Sequence, residues 1–323
     1  MRIVEMVKEN LRPSDILTRA AFENSIMVNA AIGGSTNFVI HLLAIAGRIG
    51  VELNLQDFDN HSNHIPLLAN IQPSGKYFME DLYYAGGLPA VMKELLLHLN
   101  KEAITVTGKS IAVNVSDAEC YNREMIATTG QPINPTSGII VLKGNLCEAG
   151  AVVKPSAASP HLMKHSGKAV VFEDIEDYKA RIDDPQLEVD ENSILILKNV
   201  GPMGYPGMPE VGNMALPKKL LTNGITDMVR ISDGRMSGTG FGTVILHASP
   251  EAAAGGNFAV VQSGDVISLD VMNRSLQLNV SEEELTNRKK GWKSKAADPG
   301  RGYVSLYVRH VEHTHLGADM DFL

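Results

Sequence analysis

The spacing of apolar residues changes once along the chain, and this change limits the folds open to it. Over the first hundred residues, apolar side chains recur at helical spacing, whereas short β-rich runs separated by turn residues follow from about residue 103. The runs are AITVT, GIIVLKG, GAVVK, KAVVFED, SILILKNV, NFAVVQ, DVISLDV and SLQLNV. This order predicts a helical part joined to a β-barrel or β-sandwich that carries a few helices.

Three local signals refine this prediction. Gly, Pro, Thr and Asn concentrate in ATTGQPINPTSG, residues 127–138, which we interpret as a domain boundary because 323 residues favour two domains. The helical stretch GKYFMEDLYYAGGLPAVMKELLLHL is interrupted by two glycines and a proline, which predicts two helices at a tight corner. The last two β runs alternate apolar and polar residues across MNR, as expected for an antiparallel hairpin.

Composition argues against several classes of protein. Apolar residues make up 44% of the chain and charged residues 20%, as in a globular protein. A net charge of −8 does not favour binding to a phosphate backbone, and only 5% aromatic residues provide few side chains on which bases could stack. The apolar run FVIHLLAIA is too short to cross a bilayer, and no charged leader precedes it. We therefore predict a cytoplasmic protein with no nucleic-acid or membrane partner.

The polar stretch 286–302 is expected to be a solvated face.

The cysteines and histidines give no metal-site motif. Cys120 and Cys147 lie 27 positions apart without a CxxC pair, so they predict buried free thiols. The paired histidines of HSNH, HLMKH and HVEHTH lack the H-E-x-x-H pattern of a zinc helix, and we do not predict a metal there. His247 is either a neighbour of an active site or a strand histidine whose hydrogen bonds are satisfied.

The glycine-rich stretch ISDGRMSGTGFGT, residues 231–243, is the strongest candidate for chemistry. If it is extended, Asp233, Arg235 and Ser237 project from one face. An acid, a cation and a hydroxyl could then orient a carboxylate substrate and lower the pKa of the hydroxyl, while glycines let the backbone approach a ligand. The alternative is a glycine-rich turn between two strands, in which Asp233 and Arg235 form an ordinary ion pair.

A dinucleotide-binding loop is rejected for the same stretch. The segment GTGFGT lacks the G-x-G-x-x-G spacing, and the TVILHASP that follows predicts a strand instead of a helix. Upstream, GPMGYPGMPE is a stiff loop that fixes Glu210, which is one of the several oxygen ligands that Mg²⁺ would need, or else part of a surface loop. In GGSTN, the residues 35–37 predict a helix start that serves as a cap or holds an anion.

Several stretches together resemble the dihydroxy-acid and sugar-acid dehydratase family, which includes phosphogluconate dehydratase. They occur in the family's order and span nearly the whole chain. The stretches are GGSTNFVIHLLAIA, QPSGKYFMEDLYYAGGLPAVMKELL, LKGNLCEAGAVVKPSA, GPMGYPGMPE, SDGRMSGTGFGTVILHASPEAAAGG and SGDVISLDV. The resemblance implies that water is removed from a 2,3-dihydroxy acid to give a 2-keto acid. It also implies an iron–sulfur cluster that acts as Lewis acid and a Mg²⁺ ion that holds the substrate.

The resemblance assigns roles and domains to this chain. It makes Ser237 the base that takes the C2 proton, Thr239 a neighbouring hydroxyl found in the sugar-acid branch, and Glu210 a Mg²⁺ ligand. The implied fold class is α/β or α+β. Residues 1–130 would be the C-terminal part of the family's N-terminal α/β domain, incomplete here, and residues 131–323 a β-barrel-like domain with the catalytic serine. Family members form dimers or tetramers, so a homo-oligomer is expected.

One departure from the family leaves the activity open. Relatives carry three cluster cysteines, one within a Cys-Asp-Lys motif, and neither Cys120 nor Cys147 matches a cluster motif. We therefore expect this chain alone to hold no cluster and not to dehydrate a substrate. It would be a fragment, one half of a split enzyme whose partner supplies the cysteines, or a non-catalytic protein that binds a small acid or regulates a full-length homologue. SGTGFGT and HLGADMDFL favour a sugar acid as substrate, and the alternative is the dihydroxy-acid dehydratase of branched-chain amino-acid synthesis.

Overall fold

The centre of the molecule is a closed barrel of eight strands. The structure is a computed structural model, and it describes residues 1–296 and 298–323. The strands are β1 (Ile140–Gly144), β2 (Cys147–Val153), β3 (Lys164–Phe172), β4 (Ile194–Leu197), β5 (Arg230–Ser232), β6 (Val244–Ser249), β7 (Val266–Asp270) and β8 (Ser275–Leu278). Their order around the barrel is β1-β2-β6-β5-β4-β3-β7-β8. Strands β3, β4, β5 and β6 are mutually parallel neighbours, so the loops that leave them lie at one end of the barrel.

Most helices precede the barrel in the chain. Those before it are α1 (Arg2–Glu9), α2 (Pro13–Ile16), α3 (Arg19–Ala31), α4 (Asn37–Arg48), α5 (Leu55–Ser62), α6 (Met79–Tyr84), α7 (Gly87–Glu94) and α8 (Ile111–Val115). Those after its first strand are α9 (Ile175–Arg181), α10 (Lys218–Thr222), α11 (Glu282–Gly291) and α12 (Gly302–His310). No helix among the described residues is both long and apolar enough to span a membrane.

Helix α4 packs directly on the barrel. Its buried Val39 and Leu42 belong to the same apolar cluster as Val152 of β2 and Leu246 of β6. The cluster also contains Met236, from the loop between β5 and β6. Burial of this face removes apolar surface from water, which stabilises the contact between helix and barrel. The packing brings the start of α4 to the glycine-rich stretch.

The predicted fold class is confirmed: a helical part precedes a β-barrel, and the barrel alternative holds rather than the sandwich. The hairpin across MNR and the corner between α6 and α7 are also confirmed. The boundary between residues 130 and 131 stays a prediction. In the stretch 286–302, most side chains are exposed, and Ala297 lies outside the described residues.

Two predicted strands are wrong. The run AITVT instead begins a tight turn, in which Thr105 bonds to the Lys109 carbonyl and Ile104 forms an isolated bridge with Ser110. The run NFAVVQ instead contains a 3₁₀ turn, Phe258–Val260, with Phe258 fully buried in the barrel core. A short apolar run has the same pattern whether it is a buried strand or a buried turn, so spacing alone does not separate them.

Candidate functional site

The turn that leaves β5 presents two hydroxyl groups. Ser237 and Thr239 are both exposed, and their Oγ and Oγ1 atoms lie 3.2 Å apart. Among the described residues, no group accepts a hydrogen bond from the backbone N–H of Gly238 or of Thr239. Hydroxyls and free N–H groups at one turn can stabilise a negatively charged oxygen. The two residues predicted as base and neighbouring hydroxyl are therefore brought together.

Asp233, Arg235 and Ser237 do not share one face, so that prediction is wrong. Strand β5 ends at Ser232, and the alternation of side chains ends with it. Asp233 is fully buried, and its carboxylate accepts backbone N–H bonds from Asn199, Val200 and Ala252 at 2.9–3.0 Å. Arg235 donates from Nε to the Met208 carbonyl at 2.5 Å. The alternative ion pair between Asp233 and Arg235 is also absent among the described residues.

Two buried carboxylates hold the loop that carries Glu210. Besides Asp233, Glu251 accepts the backbone N–H groups of Met203 and Gly204 at 2.9 and 3.0 Å. Burial raises the pKa of Asp233 to about 6. Burial, and then the nearby Asp233 charge, raises the pKa of Glu251 to about 8. Neither acid faces solvent, so we assign both to positioning the loop and not to the reaction.

A buried ion pair fixes the far ends of both loops. Arg230 of β5 donates to Asp227 at 2.9 Å and to the carbonyls of Asn213 and Met214 at 2.7 and 3.0 Å. Asp227 also accepts from the backbone N–H and the hydroxyl of Thr243. The end of the Glu210 loop is thereby joined to the end of the Ser237 turn. Because both charged groups have hydrogen-bond partners, the ion pair is rigid and supports the two loops from below.

Asn37 connects Glu210 to the Ser237 turn. Its Nδ2 atom donates to Glu210 Oε1 at 2.5 Å and to the Met236 carbonyl at 3.1 Å. A Cβ atom at Gly238 would lie 3.3 Å from the Ser35 Cβ, so the start of α4 also touches the turn itself. Sequence reasoning treated residues 35–37 only as a cap or an anion site. The bonding partners lie 173 and 199 positions away, so no local pattern reports this contact.

The described residues provide one suitable ligand for the Mg²⁺ ion that the resemblance implies, but not a complete set. Glu210 is an exposed carboxylate with one oxygen bonded to Asn37, which suits a single Mg²⁺ ligand. No group of three or more His, Cys, Asp or Glu side chains suited to a metal occurs within residues 1–296 and 298–323. Glu210 would therefore be one ligand among others.

The two cysteines do not fit an iron–sulfur cluster. Both are free thiols. Cys147 is completely buried in β2, and burial raises the pKa of its thiol, which disfavours the thiolate that iron requires. The Cys120 Sγ atom contacts the Asn122 and Ile126 carbonyls at 3.4 and 3.7 Å. No step of the chemistry is assigned to a cluster held by this chain.

His247 lies beneath the turn but is not the satisfied strand histidine that was one expectation. It is 2% exposed, and neither ring nitrogen has a hydrogen-bond partner among the described residues. Burial, and then the charges of Arg235 and His41, lowers its pKa to about 3, so the ring is neutral. Its backbone is left-handed, with φ +57°, which is uncommon for a residue other than glycine.

Comparison with known proteins gives one consistent family. Residues 1–114 match the N-terminal family model of the dihydroxy-acid/6-phosphogluconate dehydratases, and residues 124–318 match the C-terminal model. The chain is 57% identical to the L-arabinonate dehydratase of Rhizobium leguminosarum bv. trifolii over 326 residues. It is 45% identical to the 6-deoxy-6-sulfo-D-gluconate dehydratase of Pseudomonas putida over 324 residues and 41% identical to the dihydroxy-acid dehydratase of Acetivibrio thermocellus over 338.

These matches cover almost all of this chain but only part of each relative. They span 100%, 99% and 99% of the chain, against 56%, 56% and 58% of the relatives in the same order. The chain thus spans about half the length of the curated relatives it matches.

Proposed function

Because the chain belongs to the dihydroxy-acid/6-phosphogluconate dehydratase family, we propose that it forms the part of a hydro-lyase that takes the proton from C2 of a sugar acid. The reaction would convert a 2,3-dihydroxy carboxylate to a 2-keto-3-deoxy acid and water. The observation that carries this proposal is the Ser237–Thr239 hydroxyl pair, to which Asn37 ties the Glu210 carboxylate.

Ser237 is proposed as the base. Its Oγ atom would take the C2 proton as the C2–H bond breaks. The C3–O bond then breaks, and the departing hydroxide takes up the proton that Ser237 removed, so that it leaves as water and the serine oxygen is an anion again. The resulting enol loses the proton of its C2 hydroxyl while C3 gains a proton, which gives the ketone at C2. A serine acts as a base only if its oxygen is stabilised as an anion. Thr239 Oγ1, at 3.2 Å, would supply a hydrogen bond to that oxygen.

Glu210 is proposed as one Mg²⁺ ligand, held in place by Asn37. When bound, Mg²⁺ supplies positive charge that orients the substrate's oxygens and favours the ionised intermediate. Because the two cysteines do not fit a cluster, we further propose that this chain alone does not complete the dehydration. Iron and sulfide analysis of the purified chain tests this, and a stoichiometric cluster bound by it would contradict the proposal.

A sugar acid is the favoured substrate class. The relatives at 57% and 45% identity are named for L-arabinonate and 6-deoxy-6-sulfo-D-gluconate, and a relative at 41% is named for a dihydroxy acid. A dihydroxy acid of branched-chain amino-acid synthesis is the second candidate, and a non-catalytic role in binding a small acid is the third. A cytoplasmic location and a homo-oligomeric state stay predictions.

A chimera tests the function directly. This chain replaces the matching 56% of the R. leguminosarum L-arabinonate dehydratase, so that the relative supplies the remainder. We expect the chimera to convert L-arabinonate to its 2-keto-3-deoxy acid. We expect Ser237→Ala to lower kcat by about a thousandfold or more, since it removes the base.

Ser166→Ala is the matched control for that chimera. The Ser166 hydroxyl also pairs with another hydroxyl, that of Ser268, at 3.3 Å. Ser166 lies on β3 and Ser268 on β7, so this pair is away from the turn. The control should retain full activity. A chimera that binds L-arabinonate without converting it would favour the non-catalytic role, and turnover of only 2,3-dihydroxy-3-methylbutanoate would favour the second candidate.

A further inference from the structure

An open apolar groove lies in the helical part of the molecule. It has a volume of about 500 Å³, and its walls come from α2, α3, α7, the first turn of α4 and residues 103–106. Most of the side chains that line it are apolar, among them Val28, Leu88 and Met92. Covering such a groove would remove apolar surface from water, which is favourable.

Two of the polar side chains on the α3 wall are already bonded within the chain. Asn24 exchanges hydrogen bonds with the Asn100 backbone at 2.7 and 3.1 Å, and Ser25 donates to the Ala21 carbonyl at 2.9 Å. A pocket for a small polar molecule presents a few converging polar groups that fix the orientation of its ligand. Asn24 and Ser25 are not available for that purpose, so the groove suits the apolar side chains of a polypeptide better than a sugar or an acid.

Exposed apolar side chains continue from the groove onto α1. Arg2 donates from Nε to the Val106 carbonyl at 2.6 Å, which holds α1 beside the rim of the groove. Ile3, Val4 and Val7 are exposed and occupy one side of α1, at the spacing i, i+1 and i+4. Exposed apolar side chains on neighbouring elements are typical of a surface that binds protein.

One end of the groove reaches the proposed site. Phe38 lines the groove, and the residue before it, Asn37, bonds to Glu210 and to the Met236 carbonyl. A segment that lies in the groove would therefore pass close to the Glu210 carboxylate. The described residues are insufficient at this place, since Glu210 is a single candidate Mg²⁺ ligand and neither free cysteine suits a cluster.

The length of the relatives indicates which polypeptide covers this surface. The match covers 56% of the R. leguminosarum L-arabinonate dehydratase and leaves the rest of that relative unmatched. The groove is lined entirely from within residues 1–114, which match the N-terminal family model. A second copy of this chain would bring the same two cysteines and the same single carboxylate, so it would not complete the site.

We propose that the groove, together with the exposed side of α1, is the surface on which the unmatched part of the family's polypeptide docks. This inference rests on the proposed function and deepens it, because it names the partner that would complete the site beside Glu210. The docked part would place apolar side chains in the groove and bring its own metal ligands to the end of the groove at Asn37.

Thiol labelling of a cysteine at the rim of the groove tests the docking. Val106→Cys is compared in the chain alone and in the chimera in which the R. leguminosarum enzyme supplies its unmatched part. We expect a maleimide to label this cysteine readily in the chain alone and at least about tenfold more slowly in the chimera, because a covered side chain reacts only when the contact opens. Mass spectrometry of the labelled peptide separates this thiol from the other cysteines.

Val113→Cys is the matched control. Val106 and Val113 are 53% and 52% exposed, and Val113 lies on α8, outside the groove. Its labelling rate should be the same in the chain alone and in the chimera. If the chimera does not fold, the same two substitutions at the aligned positions of the intact relative supply the comparison. Val106→Cys labelled at equal rates with and without the unmatched part would overturn the proposal, and so would equal protection of the two cysteines.

Protein concentration distinguishes the partner from a second copy. Labelling of Val106→Cys in the chain alone should not depend on concentration. A rate that falls as the concentration rises would place a second copy in the groove and overturn the proposal.

The proposed function fails separately from the docking surface. A chimera that protects Val106→Cys but keeps full activity as Ser237→Ala would contradict the assigned base and leave the docking surface standing. A chimera that converts L-arabinonate while Val106→Cys stays fully reactive would contradict the docking surface alone.

Discussion

Two adjacent parts of the molecule differ in how many hydrogen-bond partners their polar groups have. Beneath the loops, Asp233, Glu251 and Arg230 are buried, and each is bonded to two or more partners. We call these three residues the frame. At the Ser237 turn, hydroxyl and N–H groups have few or no partners among the described residues. Satisfied groups hold a shape, whereas unpartnered groups are available to a ligand. Substitutions in the frame should therefore reduce stability, and substitutions at the site should reduce binding or turnover.

The largest effect is expected from Arg230→Met. It leaves Asp227 without its cation and the Asn213 and Met214 carbonyls without their donor. The free energy of unfolding should fall by about 3–5 kcal/mol, as for other broken buried ion pairs. Urea unfolding measures this. Arg309→Met, which breaks an exposed pair with Asp298, is the control and should cost less than about 1 kcal/mol. Equal losses in the two variants would remove the distinction between frame and surface.

Two glycines of the same loop sharpen the comparison. Gly242 has φ +121°, and a Cβ there would overlap the Arg230 guanidinium group. Gly242→Ala should therefore lower the free energy of unfolding by about 2–4 kcal/mol. Gly238 lies at the site, outside the left-handed region, and a Cβ there would meet only the Ser35 side chain. Gly238→Ala should cost less than about 1 kcal/mol. The reverse order in thermal or urea unfolding would contradict the division.

The frame also predicts how stability depends on pH. The pKa of Glu251 is raised to about 8 and that of Asp233 to about 6, both above their values in an unfolded chain. The folded state then binds more protons than the unfolded state, so stability falls as pH rises from about 4.5 to 8. Each group contributes a slope of up to about 1.4 kcal/mol per pH unit. Two neighbouring groups feel these charges: the Asp233 charge acts on the pKa of Lys198, and the Glu251 charge acts on the pKa of Tyr307.

Glu251→Gln isolates the upper part of this range. Urea unfolding of the wild type at pH 6, 7 and 8 should show decreasing stability, and the variant should show little change above pH 6. Asp233 would still produce a slope below that pH in both proteins. A wild type whose stability does not change between pH 6 and 8 would show that Glu251 is already ionised in the folded state.

The sequence predicted what is local or shared with relatives. Most barrel strands follow from short β-rich runs, and the β7–β8 hairpin follows from alternation within a few residues. Ser237 and Glu210 were candidates from the local pattern, and the resemblance added Thr239. The roles of all three stay proposals. The misplaced face of Asp233 came from extending the alternation past Ser232, where β5 ends. Nothing in residues 231–237 reports that the strand is only three residues long.

The residues that sequence reasoning missed act over long distances in the chain. Lys154 bonds to Gly33, which is 121 positions away, and Glu251 holds a loop 47 and 48 positions away. A single sequence contains no signal that pairs such positions. Burial is the second missing quantity. A lysine in GAVVKPSA looks like a surface residue, yet it is buried in the folded chain, where it bonds to the Gly33 carbonyl.

The smallest effect on stability is expected at the reacting residue itself. Ser237 and Thr239 are exposed, and their side chains bond only to each other among the described residues. Ser237→Ala and Thr239→Val should therefore change the free energy of unfolding by less than about 0.5 kcal/mol, the range of ordinary surface substitutions. In the chimera, Ser237→Ala should nevertheless remove turnover, and Thr239→Val should lower it by about tenfold through loss of one hydrogen bond to the charged oxygen. If Ser237→Ala instead destabilises the chain by as much as Gly242→Ala, the turn belongs to the frame, and loss of activity would no longer identify a base.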